Sequence, residues 1–154
     1  MPDDPAVVDT YVDLALLAGR FSESLPKISQ WENMHPGKKH SLAGIAVKAS
    51  AFLSKMGIGD DETERFQRAV SSVLCSEHAR VAENTYAVVE ESGSEAVVCE
   101  FSFNLPPDDI VDLNMKVADN IASELGGDWA RSIVYMFSPL EEESQPCPSL
   151  AASS

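Results

Sequence analysis

Cys75 and His78 stand three residues apart in a segment of helical periodicity, a spacing that can aim both side chains at one point. Such a pair can begin a zinc site or a thiol–imidazole nucleophile. Tetrahedral zinc needs further protein ligands, and no second Cys/His pair occurs at a recognisable spacing. An activated thiolate needs electropositive surroundings, whereas Glu77 adds negative charge and only Arg80 opposes it. The pair therefore reads as a semi-buried thiol beside a surface imidazole, with no metal and no cofactor expected.

The basic stretch His35-Pro36-Gly37-Lys38-Lys39-His40-Ser41 leads into a helix start. Backbone N–H groups there could receive an anion, with Lys38, Lys39 and His40 adding positive charge. A phosphate loop would need more glycine and a preceding strand, so a solvated loop is the simpler account. Asp108, Asp109 and Asp112 lack the alternating oxygen-ligand spacing of a calcium loop and suit a helix N-terminus instead. No nucleophile elbow, zinc-protease helix or dinucleotide glycine pattern is present. Enzymology would need a site assembled from distant residues such as Tyr86, Arg131, His78 and Asp128.

Charge is the stronger signal. From Asn84 onward there are 13 carboxylates against two bases, Lys116 and Arg131; before it there are 12 against nine. The two portions carry −11 and −3 of the total −14. Such a field repels nucleic acid and anionic membrane and attracts basic surfaces. Glu90, Glu91 and Glu95 flank a turn, Glu100 lies on the polar face of a strand, and Asp112 and Asp119 follow on a helix. These six are the candidate partner-binding residues. The simpler account makes them a solvated rim that discourages aggregation.

The elements that must hold these residues can be read from periodicity. Val7, Tyr11, Leu14, Ala18, Phe21 and Leu25 form one helical stripe, with Pro5 in its first turn and Pro26 at its end or kink. A second helix follows Ser41 as N-cap, with Leu42, Ile45, Ala49, Phe52 and Met56 inward, and ends at Gly57. A third starts at Asp60-Asp61-Glu62, and its stripe runs through Phe66, Val70, Val73, Glu77 and Val81, widened by Ala69 and Leu74; Asp61 and Glu64 have capping-box spacing.

From Asn84 the period changes to two. Strands are expected over 86–90 and 96–103, joined by Glu91-Ser92-Gly93-Ser94, with Val97, Cys99, Phe101 and Phe103 on the buried face. A helix follows from Pro106, burying Ile110, Leu113, Val117, Ile121 and Leu125, and stopped by Gly126-Gly127. Trp129–Phe137 is the last strand, apolar on both faces over Ile133–Phe137 and so expected to be the most buried.

The class is α+β: three N-terminal helices (about 1–83), then a β-β-α-β unit (about 84–138) with a small mixed sheet covered by helices on one face. Residues 1–138 form one domain and 139–154 a flexible acidic tail. The crossover helix brings the last strand parallel to the second, and the expected sheet order is 2-1-3, first strand central. An acidic start and three widely spaced cysteines suggest a cytoplasmic protein without a secretion signal.

The expected function is a non-catalytic acidic interaction protein, of the inhibitor, immunity, adaptor or chaperone kind, that binds a basic protein surface. A small enzyme is one alternative. The other is an oligomeric scaffold, in which the stripe from Val7 to Leu25 pairs the N-terminal helices of two copies.

Overall fold

The computed structural model describes residues 4–91, 93–126 and 132–140. Its elements are α1 (Pro5–Leu17), α2 (Phe21–Met34), α3 (Ala43–Lys55), α4 (Asp60–Ser76), β1 (Val81–Glu91), β2 (Ser94–Phe103), α5 (Pro107–Leu125) and β3 (Ile133–Pro139). The α+β class holds, with helices packed on a mixed three-stranded sheet.

The expected first helix is two helices. Its break is Gly19, whose φ of +78° belongs to the left-handed region that side chains with a Cβ avoid. Space imposes the same choice: a Cβ there would lie 2.9 Å from the Thr63 carbonyl oxygen of α4. Thr63 is fully buried and its hydroxyl donates to the Gly19 carbonyl, fastening the turn to α4. Splitting the helix also changes which face is buried. Val8, Val12, Ala15 and Leu16 turn inward, and Val7, Tyr11 and Leu14 of the expected stripe stay exposed.

α2 begins at Arg20 without a capping side chain of its own. The cap comes from the first residue of α4: the Asp60 carboxylate accepts from the Ser22 N–H at 3.0 Å and the Glu23 N–H at 2.8 Å. One carboxylate thus faces the positive ends of two helices, and a cap of this kind contributes about 1 kcal/mol. Arg20 completes the junction through ion pairs with Glu23 and Glu64. Pro26 sits inside α2, beyond its first turn, and neither ends it nor coincides with its boundary.

Ser41 does not cap α3; Leu42 occupies the N-cap without a side-chain bond. Ala46, Ala49, Phe52 and Leu53 are buried, while Met56 is exposed beyond the helix end. Gly57 closes it at φ +73°, as its position suggested. At α4 the box is shifted by two residues from the expected pair: the Glu62 carboxylate accepts from the Gly59 N–H at 2.9 Å. α4 ends at Ser76, short of the expected continuation to Val81, with the Ala79 N–H on the Leu74 carbonyl at 2.9 Å and His78 left-handed at φ +54°, so that Val81 opens β1 five residues before the expected strand start.

β1 and β2 form an antiparallel hairpin in which Glu91 pairs with Ser94, and Gly93 turns the chain at φ +80°. β3 runs parallel to β2, as expected, but on its other side. The order is β1-β2-β3, which corrects the expected 2-1-3: β2 is central. The apolar side of β2 explains why. Val97, Cys99, Phe101 and Phe103 are all buried, and a strand at an edge could not be enclosed so fully.

Tyr135 and Phe137 of β3 face the same way as Cys99 and Phe101. Phe137 meets Phe101 and Phe103 edge-on at ring-centroid distances of 5.6 and 5.0 Å. The helical layer contributes Phe66, Ala69 and Val70 of α4 and Ile110, Leu113, Val117 and Ile121 of α5. Gln67, itself buried, donates to the Cys99 sulfur at 3.2 Å.

β3 is not the most buried strand. It starts at Ile133, its Val134 and Met136 are exposed, and Pro139 belongs to it. As an edge strand it has, among the described residues, one neighbour and one open face. Of the tail expected over 139–154, Pro139 is in β3 and 141–154 lie outside the described residues, as do Trp129 and Arg131.

Two glycines isolate the close approach at Gly19. Gly57→Ala meets nothing within 4 Å and pays only for its left-handed backbone, roughly 1 kcal/mol. Gly19→Ala adds the collision with Thr63, so its loss should exceed that of Gly57→Ala by at least about 1 kcal/mol. Urea unfolding of both variants measures the difference; equal losses would contradict the packing constraint.

Candidate functional site

The acidic residues are distributed unequally between those neutralised internally and those left facing solvent. In the helical half, Arg20 holds Glu23 and Glu64, Arg68 holds Glu64 at 2.7 Å, and Lys39 holds Glu32 at 3.0 Å. Lys116 of α5 reaches back to Glu77 at 2.6 Å. The contacts of Arg68 and then Arg20 keep the Glu64 carboxyl below its usual pKa, and Lys39 together with the His40 N–H does the same for Glu32. The helical half therefore occupies several of its own bases, and one from the other half.

Glu90, Glu95, Glu100, Asp112 and Asp119 are exposed, and among the described residues none forms an ion pair. The Glu91 side chain lies outside the described residues. The fold places these acids on three surfaces. Glu90 and Glu95 are directly opposed at the tip of the hairpin and share a cleft with Phe52, Lys55 and Met56. Like charges in that position cost a few tenths of a kcal/mol. Glu100 points to the opposite side of the sheet. Asp112 and Asp119 lie two helical turns apart on α5, and Asp112 lines a small cleft with His78 and Lys116.

Glu100 occupies a surface that the sequence pattern understated. Alternation from the buried positions of β2 puts Ala96, Val98, Glu100 and Ser102 on the far side of the sheet. The register aligns Val89 and Ala87 of β1, and Val134 and Met136 of β3, with these residues. The half near the hairpin tip is apolar, while Glu83, Thr85, Glu100, Ser102 and Ser138 make the other half polar. Val134 is 40% exposed and Met136 51%. Single exposed apolar residues are ordinary, but a contiguous uncovered set marks a contact surface.

A second apolar feature adjoins it. Between α5 and β3 runs a groove of about 510 Å³ lined by Phe66, Val111, Met115, Ala118, Ile133 and Tyr135 among others. Tyr135 donates to the Asn114 carbonyl at 3.3 Å across it. No motif signals the groove, because its walls come from residues about twenty positions apart that alternate with buried ones.

The remaining candidates are accounted for locally. α4 stops at Ser76 and His78 is left-handed, so helical spacing does not relate His78 to the exposed Cys75. Among the described residues no group of three or more His, Cys, Asp or Glu is placed to hold a metal ion. Lys39 is engaged by Glu32. His40 is buried, with Nε2 2.9 Å from Asp9 and Nδ1 accepting from the Leu42 N–H at 3.1 Å. The basic island is thereby divided between structural contacts, with Lys38 left exposed. Tyr86 is packed edge-on against Phe21 at 5.4 Å, away from His78's cleft. Asp128 and Arg131 lie outside the described residues.

Burial raises the Cys99 thiol from 9.0 to about 12 and pushes the Tyr86 phenol well up, with the Cys99 charge adding to the latter. Both groups are held in their neutral forms. The Cys99 contribution is therefore whole below pH 9 and declines as pH rises from 9 towards 12, and that of Tyr86 starts to decline above 10. Under native conditions a thiol reagent should modify Cys75 and spare Cys99 until alkali or denaturant opens the core. Peptide mass mapping reads this, and prompt labelling of Cys99 at neutral pH would contradict its burial. Comparison of the chain with protein-family models, with curated proteins and with solved structures gave no match.

Proposed function

We propose that this is a non-catalytic acidic interaction protein that binds a basic protein surface through the uncovered side of its sheet. One observation carries the reading: an apolar surface that no described element covers lies beside Glu100, which like Glu90, Glu95, Asp112 and Asp119 on the neighbouring surfaces forms no ion pair among the described residues. Apolar contact supplies affinity at such a surface, and the surrounding negative potential speeds the approach of a positively charged partner. No described helix is long and apolar enough to cross a membrane, and the charge disfavours nucleic acid.

Affinity capture from the source cell tests this. Wild-type protein should retain a basic protein at low salt and release it as ionic strength rises, since exposed charges are screened over about 8 Å at physiological salt. Met136→Asp should weaken retention through the apolar patch. A triple variant, Glu90→Lys, Glu95→Lys and Glu100→Lys, should weaken it through charge, with far-UV circular dichroism unchanged in both. Equal retention by all three proteins would overturn the proposal.

A second reading, homodimerisation through the N-terminal helices, draws on the stripe of α1 that stays exposed. Val7 is 52% and Leu14 61% exposed, although α1 is too short to give the expected three-heptad coil. Sedimentation of wild type and Val7→Glu/Leu14→Glu decides it: this reading expects a dimer that the variant dissociates, and a wild-type monomer removes it.

A further inference from the structure

We infer that the outer margin of β3, with the groove beside α5, takes an extended segment of the partner in which apolar residues alternate with Lys or Arg, added as a fourth strand. The inference rests on the proposed binding of a basic partner and specifies how one part of that partner is held.

The first support is the state of the margin. β3 has β2 on one side and, among the described residues, no strand on the other. Its backbone N–H and C=O groups on that side are a template for another chain. Edge strands are ordinarily protected by charges, bulges or internal proline. Ile133–Ser138 has no charged residue and no proline, and its pairing with β2 runs without a bulge from Ile133 to Pro139.

The groove is the second support. A strand laid along β3 would alternate its side chains between the two sides of the sheet. On one side they would enter the groove, where Val111 is 56% and Met115 63% exposed. On the other they would pass Val134 and Met136 towards Glu100, which stands beside Met136 in the register without an ion pair among the described residues and suits a lysine or arginine reaching across. Backbone bonds supply generic affinity in strand addition, and pockets for alternate side chains supply selectivity.

Charge selects among occupants. No charged side chain lines the groove. Asp119 lies on the same helix without an ion pair among the described residues, and the helix's base, Lys116, faces the separate cleft of Asp112 and His78, where Glu77 engages it. Burial first and the charge of Asp119 second raise the Tyr135 phenol's pKa, which places that carboxylate's field at the groove wall. A second copy of this chain would bring another −14 to the same margin. A segment with lysine or arginine between its apolar residues meets both the shape and the sign.

Selection from a displayed library of random linear peptides, about twelve residues long to exceed a typical strand, tests the inference directly. Peptides enriched on wild type should alternate apolar with basic residues. Val111→Asp/Met115→Asp, exposed positions whose far-UV circular dichroism should match wild type, should bind a selected peptide at least about tenfold more weakly. Methylating the backbone nitrogens of one alternate set of peptide residues should abolish binding, and methylating the other set should leave it within about threefold, because only one set faces the margin. Amide exchange over 133–139 should slow in the complex.

No enrichment, equal binding by the variant, or equal tolerance of both methylated sets overturns strand addition. So does self-association of the free protein that Val111→Asp/Met115→Asp dissociates, which would give the margin to a second copy. If strand addition fails while salt-sensitive capture of a basic protein persists, the proposed function stands without this mode of holding. If capture fails as well, both fall.

Discussion

The architecture depends on the approach of the α1–α2 turn to α4, where Gly19 lies against the Thr63 backbone. Thr63 fastens the turn, Asp60 caps α2, and Arg20 ties Glu23 to Glu64. With the turn fixed there, Phe21 reaches Tyr86 of the sheet, and Tyr86 in turn donates to the Leu17 carbonyl at 3.3 Å. The N-terminal helices are thereby joined to the sheet through a junction with almost no spare volume. A glycine is required by conformation and by space together, which is a stricter demand than either alone.

That junction has an electrostatic consequence. Folding the helical half brings Glu23, Glu32 and Glu64 to Arg20, Lys39 and Arg68, so that part of its charge is paired before a partner is met. The excess of carboxylate is left on the hairpin, on α5 and on the uncovered side of the sheet. Individual exposed pairs contribute little to stability. Their importance lies in determining which charges stay available, and the base Lys116 of the acidic half is taken by Glu77 of the other.

Much of this was legible in the residues. The alternation of Val97, Cys99, Phe101 and Phe103, the 3–4 spacing from Ile110 to Ile121, and Gly57 as a helix stop each report a local period, and each is found. The failures share a cause in tertiary contact. The stripe from Val7 to Leu25 is continuous in sequence, and only the packing of Gly19 on Thr63 shows why it must break. Ser41 has capping chemistry, but the His40 contacts with Asp9 and Leu42 fix the chain before it. Apolar residues on both sides of β3 suggested the most buried strand, yet they serve an edge beside a groove. The acidic candidates were visible as a group; their separation onto three surfaces, and the apolar patch around Glu100, required the register.

The two margins of the sheet are unlike. β1 carries Glu83, Glu90 and Glu91, while β3 carries no charge at all. Fibrillar growth needs a receptive margin at both ends of every unit, so that each addition exposes the next. Here the acids along β1 oppose a like-charged copy at one margin, so the uncharged seven-residue margin of β3 has no equally receptive counterpart and identical units are not arranged to stack end on end.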